Sequence, residues 1–321
     1  MGARPAIRPA RHQRAGAGLL IVLAAVLTLL LAGTGSAAAD PTTASGGGGR
    51  RYVALGDAWA AGTAAGVLDP ASGTCRRSAA AYPALLGPSL AGTAWTSRAC
   101  ASSTSGGNGQ FDTLGPETEV ISITVGSDAT GLGALARACS RAGDTRACDA
   151  AALRFDRALA TLPGTFDAAM ADLHTRAPRA RLVITTFPLI AEGAVCAAGP
   201  SDAARARRLD DAVNRLDAVL LTRGAATGAR TVDVRAAFRG HGVCSRDPWL
   251  APLTSSEPLL AGSATATGHR QGFLPGVTAA ATGTSTDAAP AAPPVRAAPP
   301  DADRALLGRV LGGTAGSLFG G

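Results

Sequence analysis

The stretch RYVALGDAWAAG, residues 51–62, decides the fold. Residues 52–55 are apolar and favour a short buried strand, and Gly56-Asp57 ends that strand in a turn. Small residues follow the turn and favour the start of a helix. The Asp57 carboxylate is placed to cap the first N–H groups of that helix. The stretch therefore predicts a strand, a tight turn and a helix.

The same alternation continues along the chain and predicts a parallel sheet. Further strands are expected at residues 93–100, 119–125, 180–187 and 229–234, and helices at 78–90, 150–175 and 202–222. Strands that alternate with long helices favour an α/β fold, with a parallel sheet covered on both faces. Ligands of such sheets bind outside the carboxyl ends of the strands. Those ends carry Asp57-Ala58, Ala101-Ser102 and Gly126-Ser127-Asp128.

The first 39 residues have the order of a secretory signal peptide. Arginines without acids come first, an apolar run follows over residues 19–31, and small residues come at 36–39. The alternative is an uncleaved membrane anchor, because the apolar run is close to the shortest length that spans a bilayer. We expect export, and cleavage of residues 1–39.

The charge of the chain gives no sign of nucleic-acid binding. The formal net charge of +7 falls to +3 when the four arginines of residues 1–39 are removed, and the chain contains no lysine. Arg205, Arg207 and Arg208 lie close to acids in the predicted helix 202–222, which is typical of a solvated helix face. We therefore expect no nucleic-acid partner.

The six cysteines indicate disulfides rather than a metal site. An even number of cysteines in an exported chain favours disulfide bonds, although the count leaves the pairing open. Cys139 and Cys148 enclose a short polar loop and are the best candidates for a local pair. None of the cysteines has the paired spacing of a zinc site, so no metal is expected.

The two flanks of the predicted domain differ from it in composition. Residues 40–49 are rich in glycine and predict a flexible leader. Residues 278–303 are rich in alanine, proline, threonine and serine, which predicts a disordered linker, and residues 304–321 form a short tail. The folded domain is therefore expected over residues 50–277.

Seven short motifs occur in the order that is typical of one family of hydrolases. They are YVALGDAWAAG, TCRRSAAAYPALLG, SRACASST, ISITVGSDATGLG, FPLI, FRGHGVCSRDPWL and ATGHRQGF. In this order the chain resembles the SGNH (GDSL-type) hydrolases, and most closely their secreted actinobacterial lipase/esterase branch. The resemblance implies a three-layer α/β/α sandwich with a flavodoxin-like, five-stranded parallel sheet. It also implies three disulfides, which pair Cys75 with Cys100, Cys139 with Cys148, and Cys196 with Cys244.

The resemblance also locates four active-site positions, and each holds a different residue here. Ester hydrolysis in this family needs a serine nucleophile, a histidine base and oxyanion donors from a glycine N–H and an asparagine amide. Ala58 stands at the nucleophile position and Ser102 at the glycine. Asp128 stands at the asparagine and Ser263 at the histidine. Ser102 keeps a backbone N–H, whereas Asp128 presents an acceptor where a donor is required. These replacements predict a protein without the family chemistry.

The four histidines of the chain do not fill the vacant base position. His269 belongs, by the resemblance, to the helix that follows it, and His241 to a structural or rim position. His174 lies on a predicted helix and His12 in the leader. No imidazole therefore has an evident catalytic place.

Three functional hypotheses remain open. The favoured one is a secreted, inactive family member that binds a lipid, acyl or glycan ligand in the former active-site cleft, as a monomer and without a cofactor. The second is an active carboxylic ester hydrolase with a relocated nucleophile, for which the candidates are Ser102, Ser103, Ser105, Ser127 and Ser263. The third is a structural exported protein in which the tail matters.

Three further residues near the predicted strand ends have two interpretations each. Trp59 and Trp249 could line the cleft, but burial in the core is the favoured interpretation. Asp233 could be a triad acid, but a turn or cap residue is favoured.

Overall fold

Six strands form one sheet in the computed structural model, which describes residues 43–44, 49, 51–101, 109–141 and 144–284. The sheet has the order β1-β3-β2-β4-β5-β6. The bounds are β1 (Thr43–Ala44), β2 (Arg51–Gly56), β3 (Ala94–Ser97), β4 (Thr118–Thr124), β5 (Arg181–Thr185) and β6 (Arg230–Val232). Strands β2 to β6 are parallel to one another. The predicted five-stranded parallel sheet is confirmed.

The short strand β1 was not expected. Thr43 and Ala44 pair antiparallel with Thr96 and Trp95 of β3, because the outer edge of β3 leaves backbone N–H and C=O groups open to pairing. The prediction of a flexible leader over residues 40–49 is therefore wrong for these two residues. The glycines at 46–48 lie outside the described residues.

The helices lie in two groups, one on each face of the sheet. Their bounds are α1 (Ala58–Ala61), α2 (Tyr82–Leu86), α3 (Ser127–Thr130), α4 (Leu132–Ser140), α5 (Thr145–Arg176), α6 (Ala203–Ala226) and α7 (Leu274–Thr282). The chain moves from β2 to β3 in one direction, and from β4 to β6 in the other. Right-handed crossovers therefore put α2 on one face and α5 and α6 on the opposite face. Helix α7 packs beside α2.

The reversal of direction creates a crevice between β2 and β4. In open parallel sheets this switch point, at the carboxyl ends of the strands, is where ligands bind. The turn at Asp57 leaves β2 at this edge, and the turn at Gly126 leaves β4 beside it. The fold thus brings two of the predicted site segments together.

Two predicted boundaries are wrong. The helix expected at residues 78–90 is reduced to α2 and a 3-10 turn (Gly87–Ser89), because Ser78 instead forms a β-bridge with Leu68 and proline starts each helical piece. The domain does not end at Val277, since α7 continues to Thr282 and buries Ala280 and Ala281. The predicted linker thus begins later, and residues 285–321 lie outside the described residues.

All six cysteines are paired. The disulfides join Cys75 to Cys100, Cys139 to Cys148, and Cys196 to Cys244, which are the pairs that the resemblance implies. The first ties the 3-10 turn Pro70–Cys75 to the segment after β3. The disulfides therefore fix loops around the carboxyl edge of the sheet.

Within the described part of the chain, no helix has both the length and the apolar composition needed to cross a bilayer. The apolar run at residues 19–31 lies outside that part.

Candidate active site

The turn after β2 requires glycine at its first position. Gly56 has φ 135°, and a Cβ atom there would lie 2.1 Å from the carbonyl oxygen of Thr124 on β4. The buried Gln110 side chain fixes the same turn: its Oε1 accepts the Gly56 N–H at 2.9 Å, and its Nε2 donates to the Gly56 carbonyl at 3.1 Å. This glutamine was missed at the sequence level because it lies 54 residues away.

Asp57 joins the two turns of the crevice. Its Oδ1 accepts the Trp59 N–H at 3.0 Å, which caps α1. Its Oδ2 accepts the Ser127 N–H at 3.0 Å, the Ser127 hydroxyl at 2.7 Å and the Asp128 N–H at 3.4 Å. The side chain is fully buried. Burial raises its pKa from the ordinary 3.8 to about 6, although the hydrogen bonds lower it.

Asp128 lies beside Asp57 and is partly buried. The N–H of Ala58 lies close to its carboxyl group. The Ser127 hydroxyl lies 3.4 Å from Asp128 Oδ1 and so stands between the two acids. Burial raises the pKa of Asp128 well above its usual range, and the neighbouring Asp57 charge raises it further. No ion pair connects either acid to a cation in the described ranges.

Ala58 places a methyl group where the resemblance puts the nucleophile. The residue is buried at the start of α1 and only 4% exposed. Its N–H lies close to the Asp128 carboxyl group. Ser102, the residue expected at the glycine position, lies outside the described residues, as do Ser103 and Ser105.

Ser263 is brought close to α1 but is occupied by a local contact. Its hydroxyl donates to the Leu259 carbonyl at 3.1 Å, and the same carbonyl accepts from the Thr63 hydroxyl at 3.2 Å. Thr63 follows Gly62, the C-cap of α1. The residue in place of the histidine is therefore a buried structural donor.

The next histidine along the chain after Ser263 is part of the core. His269 is fully buried, and its Nδ1 accepts the Tyr82 N–H at 3.2 Å. The ring stacks on Tyr82 and Phe273. Burial lowers its pKa from the ordinary 6.5 to about 3, so the imidazole is neutral.

The other described histidines also lack a serine partner. His241 stacks on Trp249 with ring centroids 3.6 Å apart, and its Nδ1 lies 2.8 Å from the Asp247 carbonyl. His174 lies exposed near the end of α5. Among the residues that the structure describes, no imidazole forms a hydrogen bond with a serine hydroxyl. His12 lies outside them.

Trp59, Trp249 and Asp233 have structural places. Trp59 is 5% exposed and packs edge-on against Phe187, and Trp249 packs in the same way against Phe238. Asp233 accepts the Arg235 N–H at 3.0 Å and pairs with the guanidinium of Arg235 at 2.6 Å. Among the described residues, the backbone N–H of Trp59 donates to Asp57, but no side chain of the three hydrogen-bonds to the Asp57–Asp128 pair.

The solvated helix face expected on α6 is wrong for two of its residues. Arg205 and Asp210 are buried. Asp210 accepts the N–H groups of Ala191 and Gly193 at 2.9 and 2.7 Å. About two turns further along α6, Asp217 is fully buried and accepts the Phe187 N–H at 2.9 Å. Burial raises the pKa of Asp217 to about 8. Acids of α6 thus hold the loop that follows β5.

The crevice holds no metal-binding cluster: no three histidine, cysteine, aspartate or glutamate side chains meet in a suitable arrangement among the described residues. A surface groove of about 1020 Å³, lined by Thr93, Glu119 and Arg181 among others, lies at the opposite edge of the sheet, where the strands begin. It is separate from the candidate site.

Comparison with known proteins agrees with this arrangement. The sequence profile of the GDSL-like Lipase/Acylhydrolase family matches residues 54–254. The chain therefore belongs to the GDSL (SGNH) lipase/acylhydrolase family. A lipase of Streptomyces rimosus is 35% identical over 236 residues, which cover 70% of this chain and 84% of the relative.

Two solved structures share the fold. The crystal structure of the extracellular lipase from Streptomyces rimosus has a TM-score of 0.66 and 31% identity, and the match covers 72% of this chain and 99% of the lipase. The crystal structure of phospholipase A1 from Streptomyces albidoflavus has a TM-score of 0.66 and 29% identity, with 72% and 98% covered. The α/β fold and the parallel sheet are those of this family.

Proposed function

We propose that this chain is a family member that does not hydrolyse carboxylic esters by the Ser–His mechanism, and that it binds a ligand in the former active-site cleft. The observation that carries the proposal is the pair of residues at the nucleophile and asparagine positions, Ala58 and Asp128. The nucleophile position holds a buried methyl group, and a carboxyl group that accepts from the Ser127 hydroxyl stands where the family has a donating amide.

Each chemical step of ester hydrolysis lacks the side chain that would carry it out. A methyl group cannot attack a carbonyl, and removing only the serine of a serine triad costs about a millionfold in turnover. Ser263 cannot accept a proton as an imidazole does, and its hydroxyl donates to Leu259. A lost oxyanion donor costs a further ~3 kcal/mol, and the Asp128 carboxyl group is an acceptor that repels a developing oxyanion when it is ionised.

One observation favours a second candidate, an active hydrolase with a relocated nucleophile. The Ser127 hydroxyl donates to Asp57 Oδ2 at 2.7 Å, so a carboxylate is in position to accept its proton. Ser127 is only 3% exposed, however, and the same carboxylate oxygen also accepts the Ser127 N–H. These contacts favour a structural hydroxyl that connects β2 with β4.

The place of action that we propose is outside the cell. The disulfides are typical of an oxidising compartment, and the Streptomyces rimosus relative is an extracellular lipase. Residues 1–39 would act as the export signal.

The test is turnover of p-nitrophenyl acetate and butyrate by the protein expressed from its full-length sequence. We expect no hydrolysis above the buffer rate, and none after Ala58→Ser alone, because the base is missing as well. The triple variant Ala58→Ser, Asp128→Asn, Ser263→His is expected to gain hydrolysis. Turnover by the unmodified protein that Ser127→Ala abolishes would overturn the proposal in favour of the second candidate.

A further inference from the structure

A second buried acid, on α6, has an incomplete set of partners. The side chain of Asp217 is fully buried, and its Oδ1 accepts the Phe187 N–H at 2.9 Å, whereas its Oδ2 has no hydrogen-bond partner among the described residues. The cation that faces this oxygen is Arg235, with its Nε 3.6 Å from Oδ2. We propose that Asp217 is a proton-controlled switch. It holds its proton while Arg235 is bound to Asp233, and when the proton leaves for solvent, Arg235 moves to Asp217 and releases Asp233.

The guanidinium of Arg235 stands between two acids and hydrogen-bonds to one of them. Its Nε lies 2.9 Å from Asp233 Oδ1 and its Nη2 lies 2.6 Å from Asp233 Oδ2, so the pair has two contacts. Its Nη1 donates to Asn214 Oδ1 of α6 at 3.0 Å. The 3.6 Å distance to Asp217 is longer than a hydrogen bond. A small movement of the guanidinium would exchange one acid for the other.

The two acids differ in their access to water, and this difference decides the direction of the switch. The side chain of Asp217 is 0% exposed and that of Asp233 is 40% exposed. A buried carboxylate without a hydrogen-bonded cation is costly, so Asp217 is neutral while Arg235 stays on Asp233. Once Asp217 is ionised, the guanidinium stabilises the buried acid more, because water can solvate Asp233 in its place.

The charged groups that face Asp217 lie on the turn after β6. Burial raises the pKa of Asp217 to about 8, although the Phe187 N–H and the Arg235 charge lower it, and the Asp233 charge raises it further. Helices α4 and α5 also pack against α6, but in the described part of the chain they bring no charged group to Asp217. Loss of the proton therefore acts on Arg235 and Asp233.

The switch also contacts the helix that carries the candidate site. Asp217 holds the N–H of Phe187, and the ring of Phe187 packs edge-on against Trp59 of α1, with the ring centroids 5.2 Å apart. The N–H of Trp59 in turn donates to Asp57. A change at Asp217 is therefore expected to reach α1 through two direct contacts.

The experiment follows the side-chain carboxyl ¹³C signal of Asp217 from about pH 4 to about pH 10, in the protein expressed from its full-length sequence. We expect an inflection near pH 8. The Nε–H signal of Arg235 is expected to move with the same midpoint, because the guanidinium changes its partner. The amide signal of Phe187 and the indole N–H signal of Trp59 are expected to follow.

Two variants at the partly exposed end of the switch test the competition for Arg235. Asp233→Asn removes the competing charge, so the midpoint of Asp217 is expected to fall by about one pH unit, a tenfold change in proton affinity. Arg235→Gln removes the cation, so the midpoint is expected to rise by about one unit. Asp211→Asn, at an exposed position of α6, is the matched control and is expected to leave the midpoint unchanged.

Three results would overturn the inference. An inflection near the ordinary value of 3.8 would show that Asp217 is ionised while Arg235 binds Asp233. An inflection near pH 8 that leaves the Arg235 signal in place would show a buried acid without a switch, and so would a midpoint that neither variant changes. If a variant does not fold, the titration of the unmodified protein still decides between these outcomes. None of them depends on ester hydrolysis, so this inference and the proposed function are tested separately.

Discussion

The histidine of the Gly268-His269-Arg270 segment gives a quantitative test of its structural role. His269 is buried between Tyr82 and Phe273, and its pKa is about 3, compared with 6.5 in an ordinary environment. Below pH 6.5 the unfolded chain takes up a proton at this residue and the folded chain does not. The stability that the neutral His269 gives the folded state is therefore fully present above pH 6.5, and it is lost as the pH falls toward 3.

The magnitude follows from the shift. Each pH unit between the two pKa values costs about 1.36 kcal/mol, so the folded state loses about 3 kcal/mol from this residue between pH 6.5 and pH 4.5. Asp57 and Asp217, with pKa values of about 6 and about 8, act in the opposite direction, because the folded state holds their protons more tightly. The contributions of Asp57 and Asp217 are common to the unmodified protein and to a His269 variant, so they cancel when the two are compared.

The assay is urea unfolding at pH 7.0 and pH 4.5 for the unmodified protein and for His269→Gln, in which the amide oxygen can still accept the Tyr82 N–H. We expect the variant to lose about 3 kcal/mol less than the unmodified protein over this interval. His174→Gln, at an exposed position of α5, is the matched control and is expected to leave the pH dependence unchanged. A difference below about 1 kcal/mol would refute the neutral, buried imidazole.

Two further changes test the construction of the crevice by chemical unfolding. Gly56→Ala would place a Cβ atom 2.1 Å from the Thr124 carbonyl oxygen and is expected to cost more than about 3 kcal/mol. Gly133→Ala, inside α4, would place its Cβ 3.7 Å from Arg137 Nη1, an ordinary contact, and is expected to be neutral or to stabilise by up to about 1 kcal/mol; equal effects of the two changes would contradict the close contact at Gly56. Asp57→Ala leaves the Trp59 and Ser127 N–H groups without their acceptor and is expected to cost about 2–4 kcal/mol. The ordinary N-cap change Asp144→Ala, at the start of α5, should cost about 1 kcal/mol, and a similar loss for both would show that Asp57 does no more than cap α1.

The strands and the first turn could be predicted from the sequence because their signals are local. Residues 52–55 and 119–125 are continuous apolar runs, as expected for strands buried on both faces, and Gly56-Asp57 is a strong turn signal. The ends of the elements were less certain. The pattern of residues 78–90 fits a helix, but Ser78 pairs with Leu68, and no local signal reveals that bridge.

The contacts that define the site could not be predicted because they join distant segments. Gln110 fixes Gly56 from 54 residues away, and Ser127 reaches Asp57 across 70 residues. The resemblance located Ala58, Asp128 and Ser263 individually, but it gave no indication that the Asp128 N–H would donate to Asp57. Likewise, Asp210 and Arg205 fit a solvated helix pattern, but Asp210 is buried against the loop at Ala191 and Arg205 against Thr145, 60 residues away.

The most direct test of the central claim is covalent labelling by a fluorophosphonate, measured as the intact mass of the protein. The reagent reports an activated serine whatever ester the protein prefers. We predict no adduct on the unmodified protein, and one adduct per chain on the triple variant Ala58→Ser, Asp128→Asn, Ser263→His. A stoichiometric adduct on the unmodified protein would contradict the account.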